Sequence, residues 1–200
     1  MRLLACLFYI CDEIIYSQKM AFRIIVFLIV SSIVLLSFTS YKQHQYHPHP
    51  YVTDSSYYII IDKSDFELKV YDAEGWYATY PVVFGSKDAS DKMYEGDKRT
   101  PNGVFKIIQK KINPKWGMEL LLDYPNNESV RRFNERKSKG LIPKKARIGD
   151  GIAIHGTRPS EEWTVDNEYN WTDGCISVKY SEMKDLFSYI PEGTKVTIQP

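Results

Sequence analysis

The chain has 200 residues, 44% of them hydrophobic and 26% charged, with 15 Tyr and 9 Phe. That length predicts one globular domain plus short extras, and the apolar content is too high for a disordered chain. Twenty-six Lys and Arg against 25 Asp and Glu leave a net charge of +1, which supplies no field for general nucleic-acid or membrane-surface binding.

Residues 1–40 read as a leader. Ile24 to Phe38 is an uncharged run of 15 residues, shorter than the roughly 20 of a spanning helix. Lys19 and Arg23 precede it as a positive flank, and Ser37 and Thr39 offer small residues for cleavage. The segment is therefore a signal peptide or an uncleaved signal-anchor, and either one exports the remainder. Met20 begins such a signal by itself, so residues 1–19 read as an upstream extension. Residues 41–56 (YKQHQYHPHPYVTDSS) are polar and aperiodic, a tether. His44, His47 and His49 lie there without acidic or Cys partners at metal-ligand spacing. The membrane is expected to be met only through this N-terminal part.

Residues 57–200 form the domain, long enough to bury a core without a metal or disulfide staple. Its strands are expected at Tyr58–Asp62, Glu67–Tyr71, Trp76–Phe84, Gly103–Ile108, Met118–Asp123, Gly151–His155, Cys175–Val178 and Lys195–Ile198, all alternating or β-branched runs. The first two make a hairpin with Leu68 and Val70 on one face. Short strands divided by turn signals predict a mostly β sandwich or barrel with two or so short helices. One helix is expected at Glu128–Lys139, capped by Asn127, with Val130 and Phe133 on one side; the other follows Ser181 and carries Met183, Leu186, Phe187 and Ile190. Around the first, Arg131, Arg132, Arg136, Lys137, Lys139, Lys144, Lys145 and Arg147 are accompanied only by Glu135. Such a run is a solvated face or a rim for a carboxylate-bearing substrate.

Chemistry concentrates after the strand GIAIH. His155 and Cys175 are the single His and single Cys of residues 57–200, and Cys6 and Cys11 fall in the leader, so the exported thiol has no disulfide partner within the chain. Cysteine attacks as thiolate, and an imidazole can take its proton. Gly174 allows close approach to substrate, so that N–H groups of Gly174 and Cys175 can face an oxyanion. Two buried structural residues are the alternative. An exposed, activated thiolate would react with alkylating reagents faster than an ordinary thiol.

Fifteen residues separate His155-Gly156 from Thr172-Asp173-Gly174-Cys175, a pattern that resembles the L,D-transpeptidase catalytic domain, the YkuD family. The hairpin IIIDKSDFELKVYD, then YPVVFG and Thr100-Pro101-Asn102-Gly103-Val104-Phe105, resemble that family's opening strands and Thr-Pro-x-Gly-x-Phe element. WTDGCISV and LDYPN look most like its YafK-type branch. The resemblance implies that Cys175 is the acylated nucleophile, His155 its proton partner and the Gly156 carbonyl the group that orients the imidazole. It implies that Thr172 fixes the nucleophile loop and that Asp173, which replaces a frequent His, lends its main chain to the oxyanion site. Ser177 stands where relatives carry Arg or Asn, a substrate-contact position. Arg147, Trp163, Tyr169 and Trp171 are expected around the stem peptide, the aromatics as a wall.

The implied reaction is acyl transfer on peptidoglycan stem peptides through a thioester, which cross-links the cell wall and bears on cell shape. A hydrolase of the same fold, trimming by L,D-carboxypeptidase or endopeptidase action, is the alternative; a wall-binding module without catalysis is the third reading. No metal or organic cofactor is implied, and the expected location is the periplasm or cell envelope, with a possible inner-membrane anchor.

Overall fold

The computed structural model describes residues 57–114 and 117–200. The leader, Cys6, Cys11, the tether and its three histidines lie outside the described residues.

Eight strands form one sheet in the order β3-β2-β1-β8-β4-β5-β6-β7. They are β1 (Tyr58–Asp62), β2 (Glu67–Asp72), β3 (Gly75–Pro81), β4 (Gly103–Asn113), β5 (Gly117–Leu122), β6 (Ala153–Gly156), β7 (Ile176–Val178) and β8 (Lys195–Gln199). The first hairpin closes on Asp62, whose carboxylate accepts the N–H groups of Ser64 at 3.0 Å and Asp65 at 3.1 Å. Asp72 does the same for Glu74 and Gly75 in the next turn, an arrangement that substitutes a side chain for a backbone turn partner. Alternation then decides the faces: Ile59, Ile61, Leu68, Val70, Val196 and Ile198 are all buried, each contributing roughly 1.5–3 kcal/mol by leaving water.

Strand β4 serves both halves of the sheet. Gly103–Lys106 pair with β8, and the rest pairs with β5 after a register shift between Ile107 and Gln109. Such a bulge bends the strand and increases its twist. The far edges nearly meet, because Val83 and Ser177 exchange N–H···O bonds of 2.9 Å in both directions. The result is a nearly closed barrel, the mostly β architecture expected from the sequence.

Three short helices decorate it: α1 (Asn127–Ser138), α2 (Trp163–Asp166) and α3 (Tyr180–Tyr189). Two caps differ from expectation. Asn126, not Asn127, caps α1 by accepting the Ser129 N–H at 3.0 Å. Lys179, not Ser181, precedes α3, and the Glu182 carboxylate reaches back to its N–H at 3.2 Å. Phe133 is buried but Val130 is exposed, so the apolar side of α1 is narrower than its sequence suggests. Helix α3 buries Met183 and Leu186 against β5 and β6.

The basic stretch divides: Arg131, Lys137, Lys139, Lys144, Lys145 and Arg147 are exposed, whereas Arg132 and Arg136 are partly buried. Arg132 and Arg136 both bind the Asp91 carboxylate, and they also donate to the carbonyls of Asn102 and Lys92 at 2.7 Å. Arg131 pairs with Glu128, Lys139 with Glu135, and Arg147 with Glu95 at 3.2 Å. Arg132 and Arg136 therefore fasten α1 to the irregular segment before β4 and are not available to a substrate, while the exposed remainder is a solvated face.

Candidate active site

Strands β6 and β7 run parallel, with Ile154 opposite Ile176 and His155 opposite Ser177. Residues of one parity share a face, so His155 and Ser177 project together, and Cys175, two residues before Ser177, lies immediately ahead of β7. The opposite parity, Ile154 and Ile176, belongs to the core. Alternation alone thus separates a polar face, carrying the His and the Cys, from an apolar one under α3.

His155 is 3% exposed. Its Nδ1 lies 3.0 Å from the Gly156 carbonyl oxygen. A carbonyl accepts only, so Nδ1 carries the hydrogen and donates it, which leaves Nε2 as the basic nitrogen. Trp171 meets the imidazole edge-on, ring centroids 5.5 Å apart. Burial pushes the His155 imidazole below its ordinary value, opposed by the Gly156 carbonyl and by the Glu119 carboxylate.

Cys175 is half-buried, and its Sγ lies 3.5 Å from the Gly151 carbonyl. Burial pushes the thiol up; the Ala153 main chain opposes this, Glu119 adds to it, Lys92 opposes it and Asp173 adds to it. Burial thus biases both groups toward their neutral forms, thiol and neutral imidazole. The bias runs against the activated thiolate expected from the sequence. Alkylation by iodoacetamide at neutral pH is expected to be slower than for an ordinary thiol, with a rate that keeps rising above pH ~8.5, the ordinary thiol value. A plateau below pH 7 in the rate profile would contradict it.

The loop that carries Cys175 is clamped from within. Thr172 donates through Oγ1 to the Cys175 carbonyl at 2.8 Å and accepts the Gly174 N–H at 3.2 Å. That second bond turns the Gly174 N–H inward, away from the oxyanion duty expected of it. Gly174 has φ +128°, and a Cβ there would stand 2.7 Å from the Arg99 carbonyl, so glycine is required twice over. Asp173 is exposed beside it. Asp173→Asn is therefore expected to lower kcat/KM by less than about tenfold, equivalent to roughly 1.4 kcal/mol; a thousandfold loss with unchanged melting would give the carboxylate a direct role.

The other sequence candidates are dispersed. Ser177 is fully buried, because β7 is the strand that closes the barrel, and offers no surface to a substrate; this corrects its reading as a contact position. Arg147 is engaged with Glu95. Trp163 and Tyr169 are about half exposed and lie against each other, centroids 5.7 Å apart. Two contributors had no signal in the sequence. Asn170 accepts the Phe84 N–H at 2.6 Å, and the Phe84 carbonyl in turn accepts the N–H groups of Trp171 and Thr172. Lys92, buried, pairs with Asp97 at 2.8 Å beneath Gly174.

The nearly closed barrel thus carries His155 on β6 and Cys175 immediately before the parallel strand β7. The model of the L,D-transpeptidase catalytic domain, YkuD, matches residues 56–198, and the chain belongs to that family. Among solved structures, Bd1075 of Bdellovibrio bacteriovorus is similar at 22% identity and TM-score 0.52, over 72% of this chain and 47% of that one. The helical cell shape determining protein Pgp2 of Campylobacter jejuni is similar at 21% identity and TM-score 0.51, over 74% and 49%. These likenesses speak for the fold, and the chain spans about half the length of either protein. No curated protein matches the chain.

Proposed function

We propose that the domain is a cysteine-dependent L,D-transpeptidase acting on peptidoglycan stem peptides in the cell envelope, delivered there by the hydrophobic segment near the N-terminus. The observation that carries this reading is the His155 Nδ1 to Gly156 carbonyl bond of 3.0 Å, which points a basic Nε2 toward the face shared with Cys175. His155 takes the thiol proton as Sγ attacks the carbonyl joining the third stem residue, through its L-centre, to the terminal D-alanine. The oxyanion is received by main-chain N–H groups of the nucleophile loop, those of Asp173 and Cys175. Collapse breaks the C–N bond, His155 returns its proton to the departing D-alanine amine, and a thioester remains. An amine of a second stem then attacks the thioester, giving a cross-link and the free thiol.

The bias of both groups toward neutrality suits these steps, in which one proton passes from thiol to imidazole and on to the leaving amine. The test is incubation of the protein with tetrapeptide muropeptides. Cross-linked dimers with released D-alanine support transpeptidation; trimmed monomers alone would replace it with the hydrolytic activity, and retained but unchanged muropeptide would reduce the domain to a binding module.

A further inference from the structure

A polar row crosses four strands on the active-site face. Lys111 of β4 stands opposite Glu119 of β5, Glu119 opposite His155 of β6, and His155 opposite Ser177 of β7. Partners in register project from the same side and are the nearest side-chain neighbours across a sheet. Glu119 is 5% exposed, and its carboxylate meets Lys111 Nζ at 2.8 Å. The neighbouring row, Leu120, Ile154 and Ile176, is fully buried core, so the polar row is confined to the imidazole side.

A carboxylate so buried is an expensive way to gain stability, because desolvation offsets most of the attraction to Lys111. Its position gives it another use. Glu119 is one strand from the imidazole and Lys111 two strands, so the negative charge dominates at His155. Ser177, on the other side, contributes only a hydroxyl. The remaining charges named around the pair, Lys92 and Asp173, act on Cys175.

We propose that Glu119, held by Lys111, is a positioning residue that stabilises the imidazolium formed when His155 takes the Cys175 proton. The inference rests on the acyl-transfer reading for its purpose, but its physical content, a carboxylate acting on the imidazole, is measurable without turnover. Glu119 also opposes the thiolate, so it favours transfer of the proton only in step with attack, when the sulfur charge passes to the carbonyl oxygen.

The test is an NMR titration of the His155 imidazole in the full chain carrying Cys175→Ala, with and without Glu119→Gln, which keeps shape and removes charge. The midpoint is expected to fall by about half a pH unit or more. In the otherwise native protein, Glu119→Gln is expected to move the acidic limb of kcat/KM the same way and to lower its plateau roughly tenfold. If that variant fails to fold, the paired Lys111→Met with Glu119→Leu leaves no buried charge alone and is expected to lower the midpoint likewise. Equal midpoints, or an imidazole neutral in both proteins down to acid unfolding, overturn the proposal; a drop in melting temperature with equal midpoints assigns Glu119 to the scaffold. Absence of acyl transfer in the native protein would instead remove the function and leave the titration result standing.

Discussion

Cys175→Ala is expected to abolish turnover of tetrapeptide muropeptides, by about three orders of magnitude or more, and to leave melting unchanged. The fold loses little: Cys175 is half-buried, and the bond its main-chain carbonyl accepts from Thr172 survives the change. His155→Ala is expected to come close in effect, because without an acceptor for its proton the raised thiol stays a thiol across neutral pH. The two losses should not add, since nucleophile and base act as a unit. The sign of the pH dependence follows from the same two groups. His155, pushed down by burial, stays neutral and able to accept a proton to a lower pH than an ordinary imidazole, so activity persists into mild acid and falls only below the ordinary value near pH 6.5. Residual activity of the Cys175→Ala protein above about one percent would sink the thioester mechanism.

Local patterns in the sequence predicted much of this and long-range ones little. The hairpin from Tyr58 to Asp72 was legible because alternation and turn residues sit within a few positions of each other. The caps slipped by one or two residues where the chain offers rivals: Asn126 beside Asn127, and Glu182 reaching back past Ser181. Helix α2 gave no signal, because four residues held by the burial of Thr164 and Val165 have no period to read. Arg132 and Arg136 of α1 looked unopposed since their partner, Asp91, lies 41 and 45 positions upstream. His155 and Cys175 stood out as the domain's lone imidazole and lone thiol, and their shared face follows from the parallel pairing of β6 and β7, which no local pattern announces. Glu119 was invisible as a site residue for that reason: one acid within MELLLD acquires a role only when β5 and β6 are set side by side.

Gly85→Ala is the second large effect expected, and it separates packing from conformation. Gly85 ends the segment that closes the barrel, and a Cβ there would lie far inside contact distance of the Thr172 and Lys98 carbonyls and 2.9 Å from the Gly174 nitrogen. All three are main-chain atoms, so no side chain can turn aside; the nucleophile loop itself must shift. Overpacking of this kind costs roughly 1–3 kcal/mol, and displacement of reacting groups by about an ångström lowers rate on the order of a hundredfold. Gly75 provides the contrast. Its φ of +125° strains any L residue, yet a Cβ there meets nothing within 4 Å, and it lies in the β2–β3 turn. Gly75→Ala is therefore expected to lower stability by roughly 1 kcal/mol or somewhat more with kcat/KM unchanged, whereas Gly85→Ala loses both. Denaturant melts and muropeptide turnover on the two variants read the difference directly, and full activity in Gly85→Ala would show that the loop bearing Cys175 is not held in place by the close approach at Gly85.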